Sequence, residues 1–106
     1  MRLSELNQST REIIILCDTI GFGHLTELDI VNGEVQTTGA TRKLTNVNLD
    51  KPAPVARFQS ADYELNNYQK RFVQEVRSRR SGRIRDLGIH DGRPATICFD
   101  EEVMPR

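Results

Sequence analysis

The residues with the most chemistry to offer are the arginines between positions 70 and 85. Lys70, Arg71, Arg77, Arg79, Arg80, Arg83 and Arg85 stand there against a single acid, Glu75. Residues three and four apart share a helix face, so Arg77, Arg80 and, a turn earlier, Arg71 or Lys70 line up outward. Arg83 and Arg85 then project together from one side of the strand that follows. A guanidinium fork matches phosphate oxygens better than an ammonium does. This makes Arg71, Arg77, Arg79, Arg80, Arg83 and Arg85 a candidate surface for nucleic acid or another polyanion. A simpler account is a solvated helix face with local pairs such as Glu75–Arg79, its cations favoured near a helix C-terminus whatever the ligand. An acidic protein partner is the third reading. No exposed aromatic interleaves the arginines, so base stacking on a single strand has little support.

Other chemistry is sparse. His24 and His90 are the only histidines. With Asp29 or Asp91 they lack any recognisable metal-ligand spacing, and the sequence places them as exposed residues near turns. Glu27 and Asp86 occupy equivalent places in an internal repeat described below. Held face to face they would share a proton; as outward strand residues they would pair with Arg85 or Arg42 instead, and this is the expectation. Cys17 falls on an apolar helix position and reads as a buried free thiol, and Cys98 forms no Cys-x-x-Cys pattern. Gly21-Phe22-Gly23 resembles a phosphate loop but follows a helix rather than a strand, which makes it a helix stop. The sequence therefore predicts no catalytic residue, no cofactor and no metal.

The elements that position these residues are written twice. Arg11–Thr38 and Lys70–Ile97 align without a gap at an offset of about 59 positions. Gly23-His24-Leu25-Thr26-Glu27-Leu28-Asp29-Ile30-Val31-Asn32-Gly33 lies over Gly82-Arg83-Ile84-Arg85-Asp86-Leu87-Gly88-Ile89-His90-Asp91-Gly92. In the first copy, Ser9 and Glu12 read as a capping box, and Ile13, Leu16, Cys17 and Ile20 fall on one helical face that ends at Gly21. In the second, the predicted helix starts at Ala61 after Ser60 and runs to about Arg80, with a stripe of Leu65, Tyr68, Phe72, Val73 and Val76. Asn32-Gly33 and Asp91-Gly92 are type I′ hairpin dipeptides. Leu25 and Ile84 sit one step out of phase with the alternation of Leu28 and Ile30, and of Leu87 and Ile89; a shared bulge is expected there. The returning strands are Glu34–Thr38 and Arg93–Phe99, and Pro94 must turn its amide position to an edge or to solvent. Arg42–Leu49 reads as a third strand, leading into an extended linker over residues 50–59, and the tail from Asp100 to Arg106 reads as frayed or as a short extension.

These elements predict a single α+β domain over residues 1–106, an α-β-β-β-α-β-β order closed as a two-layer sandwich. Its repeats, 9–38 and 60–99, would be related by a pseudo-two-fold axis, with an antiparallel sheet and both helices on one face. Charged residues at 28% and apolar residues at 37% describe a globular chain rather than a disordered one, and the zero formal charge gives no overall pull toward nucleic acid or membrane. Residues 1–53 sum to about −2 and residues 54–106 to about +2, a slight asymmetry. No stretch approaches the ~18 apolar residues of a membrane span, and Met1-Arg2-Leu3-Ser4-Glu5 lacks the core of a secretory signal, so the cytoplasm is the expected compartment.

The stretch Ile20-Gly21-Phe22-Gly23-His24-Leu25 leading to Asn32-Gly33-Glu34-Val35-Gln36 resembles the small YezD-like bacterial domain of unknown function. Ser81-Gly82-Arg83-Ile84 leading to Asp91-Gly92-Arg93-Pro94 repeats the pattern, with Ser81 in place of the aromatic. The resemblance covers about half of the chain and implies no catalytic residue. The functional expectation is a non-catalytic interaction module, an adaptor or regulatory subunit that self-associates as a homo-oligomer through a sheet edge or helix face. The alternative is nucleic-acid binding through the segment from Arg71 to Arg85. A small-ligand site where the two repeats meet is a third possibility.

Overall fold

The computed structural model describes residues 1–50, 62–101 and 103. Helix α1 (Gln8–Ile20) leads into strands β1 (Gly23–Val31) and β2 (Glu34–Thr45); helix α2 (Asn67–Arg79) leads into β3 (Gly82–His90) and β4 (Arg93–Asp100). The strands form one antiparallel sheet in the order β2-β1-β3-β4, giving an α+β fold. No helix among the described residues is long and apolar enough to cross a membrane.

One core fills the space between the helices and a single face of the sheet. Ile13, Ile14, Cys17 and Ile20 of α1 and Phe72, Val73 and Val76 of α2 meet Leu25, Leu28, Ile30, Ile84, Leu87 and Ile89. Tyr68, expected in the α2 stripe, is half exposed instead, and the Arg93 guanidinium lies 4.7 Å over its ring. The expected phase break is present in both hairpins. Register shifts fall between Thr26 and Leu28 and between Ile84 and Asp86, which return Leu25 and Leu28, and Ile84 and Leu87, to the same face.

Three element boundaries differ from the sequence expectation. Asn7, not Ser9, caps α1: its side chain accepts from the Ser9 amide, and its carbonyl accepts from Arg11. Ser9 and Glu12 therefore lie inside the helix. Helix α2 starts at Asn67 because Asn66 and Gln69 form the capping box, while the preceding backbone is held elsewhere. The Leu3 amide donates to Tyr63 and the Leu65 amide donates to Met1, an extended pairing that excludes helix there. The expected start at Ala61 and the linker from Lys51 onward lie outside the described residues. Finally, β2 replaces the two strands expected over 34–38 and 42–49. Glu34–Thr37 pairs with Val31–Leu28, Arg42–Thr45 pairs with Thr26–Gly23, and Thr38–Thr41 bulges opposite Glu27. The Thr38 and Thr41 hydroxyls both donate to the Glu27 carbonyl, at 3.2 and 2.6 Å. The excursion thus stays part of one strand.

The two hairpins also match in backbone detail. Asn32-Gly33 and Asp91-Gly92 adopt the same pair of positive φ angles, 53° and 76°, as a type I′ turn requires. Each turn docks on the end of the helix that precedes the other hairpin. The Gly33 amide donates to the Arg80 carbonyl at 2.7 Å, and the Gly92 amide donates to the Gly21 carbonyl at 2.8 Å.

Candidate functional site

The arginine segment divides over two surfaces. On α2, Arg71 and Arg79 sit one turn to either side of Glu75 and both grip its carboxylate, at 2.9 and 2.7 Å. The Arg71 hydrogen bond, then that of Arg79, holds the Glu75 carboxyl below its usual range. Arg79 also binds Glu101 at 2.7 Å and lies 3.6 Å over the Phe99 ring. A planar guanidinium suits both contacts at once. The Glu101 hydrogen bond is the largest influence raising its pKa.

Arg83 and Arg85 lie on the open face of the sheet, away from the helices' core. As expected, they project from one side of β3, and there they meet Glu27. Arg85 binds it at 3.1 Å and Arg83 at 3.7 Å. Arg83 also reaches Asp29 at 3.3 Å, its register partner on β1, and Arg85 reaches Asp100 at 2.9 Å. These pairs are set by register: antiparallel β1 and β3 place the acids Glu27 and Asp29 opposite the bases Arg85 and Arg83.

Four of the six candidate arginines are thus engaged with a larger set of carboxylates: Glu27, Asp29, Glu75, Asp100 and Glu101. Arg77 and Arg80 have no carboxylate within 4.0 Å among the described residues. Arg77 is exposed, with its main chain beside the Gly33 turn, and Arg80 closes α2 in a left-handed conformation at φ 59°. The six do not form one surface.

The two repeat-equivalent acids do not face each other. Glu27 pairs with Arg85 as expected, while Asp86 takes His24, whose Nδ1 lies 2.9 Å from its carboxylate. His24 is therefore a cross-strand partner on the open sheet face rather than a free residue near a turn. Asp86 orients the ring in the way that general bases are oriented, but the pair lies on that open face beside Gly88, with both side chains 42% exposed. His90 stands against Phe22, ring to edge at 5.0 Å. Among the described residues no group of three His, Cys, Asp or Glu side chains is placed to hold a metal ion. Cys17 is buried, and burial pushes its thiol up to about 12; Cys98 is exposed on β4.

Two clefts border the sheet edges. One of about 540 Å³ runs between α1 and β2, past Ile13, Ile15 and Leu16. The other, about 430 Å³, runs between α2 and β4, past Tyr68, Phe72, Ile97 and Phe99, with Arg71, Glu75 and Arg79 on its helix wall. The sequence pointed to the arginines there but not to the cleft, whose floor is the edge strand β4. Pro94 and β4's outer position agree with the expectation that the proline's amide site face an edge. Comparison of the chain with protein-family models, with curated proteins and with solved structures gives no match.

Proposed function

We propose that the protein is a non-catalytic interaction module, an adaptor or regulatory subunit that self-associates through its sheet edge and helix flank. The observation that carries this reading is the pairing of Arg71, Arg79, Arg83 and Arg85 with five carboxylates. A polyanion would have to break those pairs before gaining its own. What stays open to a partner is a mixed apolar and polar cleft along an edge strand, a kind of surface that recognises backbone and side chains of another protein. The duplicated αββ scaffold about a pseudo-two-fold belongs to the same reading, supported by the matched turns and the reciprocal helix-end docking. So does the cytoplasm, which fits the unpaired thiols Cys17 and Cys98.

Sedimentation velocity of the whole chain over a wide concentration range tests the proposal. A sedimentation coefficient that rises with concentration is expected, and a constant monomer value overturns the self-associating form. The second reading, polyanion binding, rests on Arg77 and Arg80, which lack a carboxylate partner among the described residues. It requires binding to DNA or RNA that falls steeply with salt and is lost in the Arg77→Glu, Arg80→Glu variant.

A further inference from the structure

Resting on the interaction-module reading, we infer that the edge of β4 is the self-association surface and that its occupant is β4 of a second copy, added antiparallel about a two-fold axis.

The two edges of the sheet are built differently. β2 carries devices that discourage strand addition: the Thr38–Thr41 bulge, the exposed Gly39, and the exposed cations Arg42 and Lys43. β4 has Pro94 and charged residues only at its ends. Between them Ala95-Thr96-Ile97-Cys98-Phe99 has no charge and is rich in strand-forming side chains. Pro94 can accept a ladder hydrogen bond from an added strand but cannot donate one.

The helix beside this edge is self-complementary. α2 runs in the same direction as β4, since Arg93 lies over Tyr68 at one end and Arg79 over Phe99 at the other. A two-fold axis passing near Thr96 reverses the second α2 beside the first. Arg71 of one copy, while keeping its own Glu75 at 2.9 Å, then also faces Glu75 of the other, and the same contact recurs across the axis, as an isologous interface requires. The apolar side chains Tyr68, Ile97 and Phe99 of the two clefts close over the joined strands. Sedimentation fixes the partner as a second copy, and the substitutions fix the edge.

The test combines sedimentation equilibrium of the full chain with three variants and one cross-link. Cys98→Lys puts a cation on the exposed side of β4 and weakens the dimer by about tenfold or more. Gln36→Lys puts the same charge on an exposed position of β2 and leaves it unchanged. Arg71→Glu weakens association by setting acid against acid; the double variant Arg71→Glu, Glu75→Arg restores it. Circular dichroism checks that each variant is folded. Because the axis passes near Thr96, strand rise places the two Cys98 residues ~13 Å apart. A bis-maleimide of that reach therefore joins two wild-type chains through Cys98, a result independent of any substitution. A dimer insensitive to Cys98→Lys, or one dissolved by Gln36→Lys, overturns the β4 assignment and leaves the interaction-module reading in place. A monomer at all concentrations overturns this inference; if it also binds DNA with a steep salt dependence, the interaction-module reading falls with it.

Discussion

Glu27 joins the backbone argument to the charge argument, and substitution there separates the two. It is a non-glycine residue at φ 57°, opposite the Thr38–Thr41 bulge, and its carboxylate binds Arg85 and Arg83. A left-handed conformation costs an L-residue ~1–2 kcal/mol, which glycine does not bear. A partly exposed ion pair contributes ~0.2–1 kcal/mol, so the two pairs together supply about 1 kcal/mol at low salt. Glycine in a strand costs ~0.5–1 kcal/mol of backbone entropy. Glu27→Ala loses the pairs and keeps the strain, so it destabilises by about 1 kcal/mol. Glu27→Gly loses the same pairs but sheds the strain, and comes out within ~0.5 kcal/mol of wild type. Urea unfolding followed by circular dichroism reads the order directly: wild type and Glu27→Gly together, Glu27→Ala below them. Raising the salt concentration narrows the gap between wild type and Glu27→Ala by screening the pairs. If alanine proves at least as stable as glycine, Glu27 is not held in the left-handed region and the bulge register is wrong.

Three further predictions follow from the same geometry. Gly23 and Gly82 share an extended positive φ near 150°, but a Cβ at Gly23 would run into the Leu44 carbonyl while one at Gly82 meets open space; Gly23→Ala therefore destabilises by ~1–3 kcal/mol more than Gly82→Ala in the same unfolding assay. At pH 8, a thiol reagent labels Cys98 quickly in the folded protein and reaches Cys17 only after denaturation, because burial removes access and holds Cys17 near 12. Hydrogen bonds from Arg2 and Ser4 pull the Asp62 carboxyl from 3.8 down to about 2. A folded value below the unfolded one means that its stabilisation is fully present above about pH 4 and is lost as the pH falls toward 2. Protection of the Leu3 and Leu65 amides, measured against the intrinsic exchange rate at each pH, should fall over that window, and Asp62→Asn should abolish this pH dependence.

The sequence was most informative where local chemistry dictates geometry. Asn32-Gly33 and Asp91-Gly92 need positive φ at both central positions, so their hairpins were legible from four residues. Gly21 as a helix stop, the bulge behind the Leu25 and Ile84 phase break, and Pro94 on an edge were legible for similar reasons. Alternation could not reveal β2 as one strand, because Thr38–Thr41 interrupts it and is closed by hydroxyls bonding to Glu27 on the neighbouring strand. The start of α2 was obscured because Tyr68 and Leu65 extend its apolar period, whereas backbone pairing with Met1 and Leu3 ends it. The ion pairs of Arg83 and Arg85 depend on the β1–β3 register. Acids on β1 and bases on β3, at positions that an antiparallel register sets opposite one another, were the available signal. His24 with Asp86 depends on the same register.

The proposed function turns on whether the arginines of α2 and β3 are satisfied within the fold. Fluorescence anisotropy of mixed-sequence DNA and RNA, titrated with the whole protein over a salt series, measures this most directly. The predicted result is no binding at moderate salt and at most a weak, shallow response at low salt, since the carboxylates already hold Arg71, Arg79, Arg83 and Arg85. Tight binding that falls linearly on a log–log salt plot, with a slope of several released counterions, would contradict the account and make this segment a phosphate-binding surface.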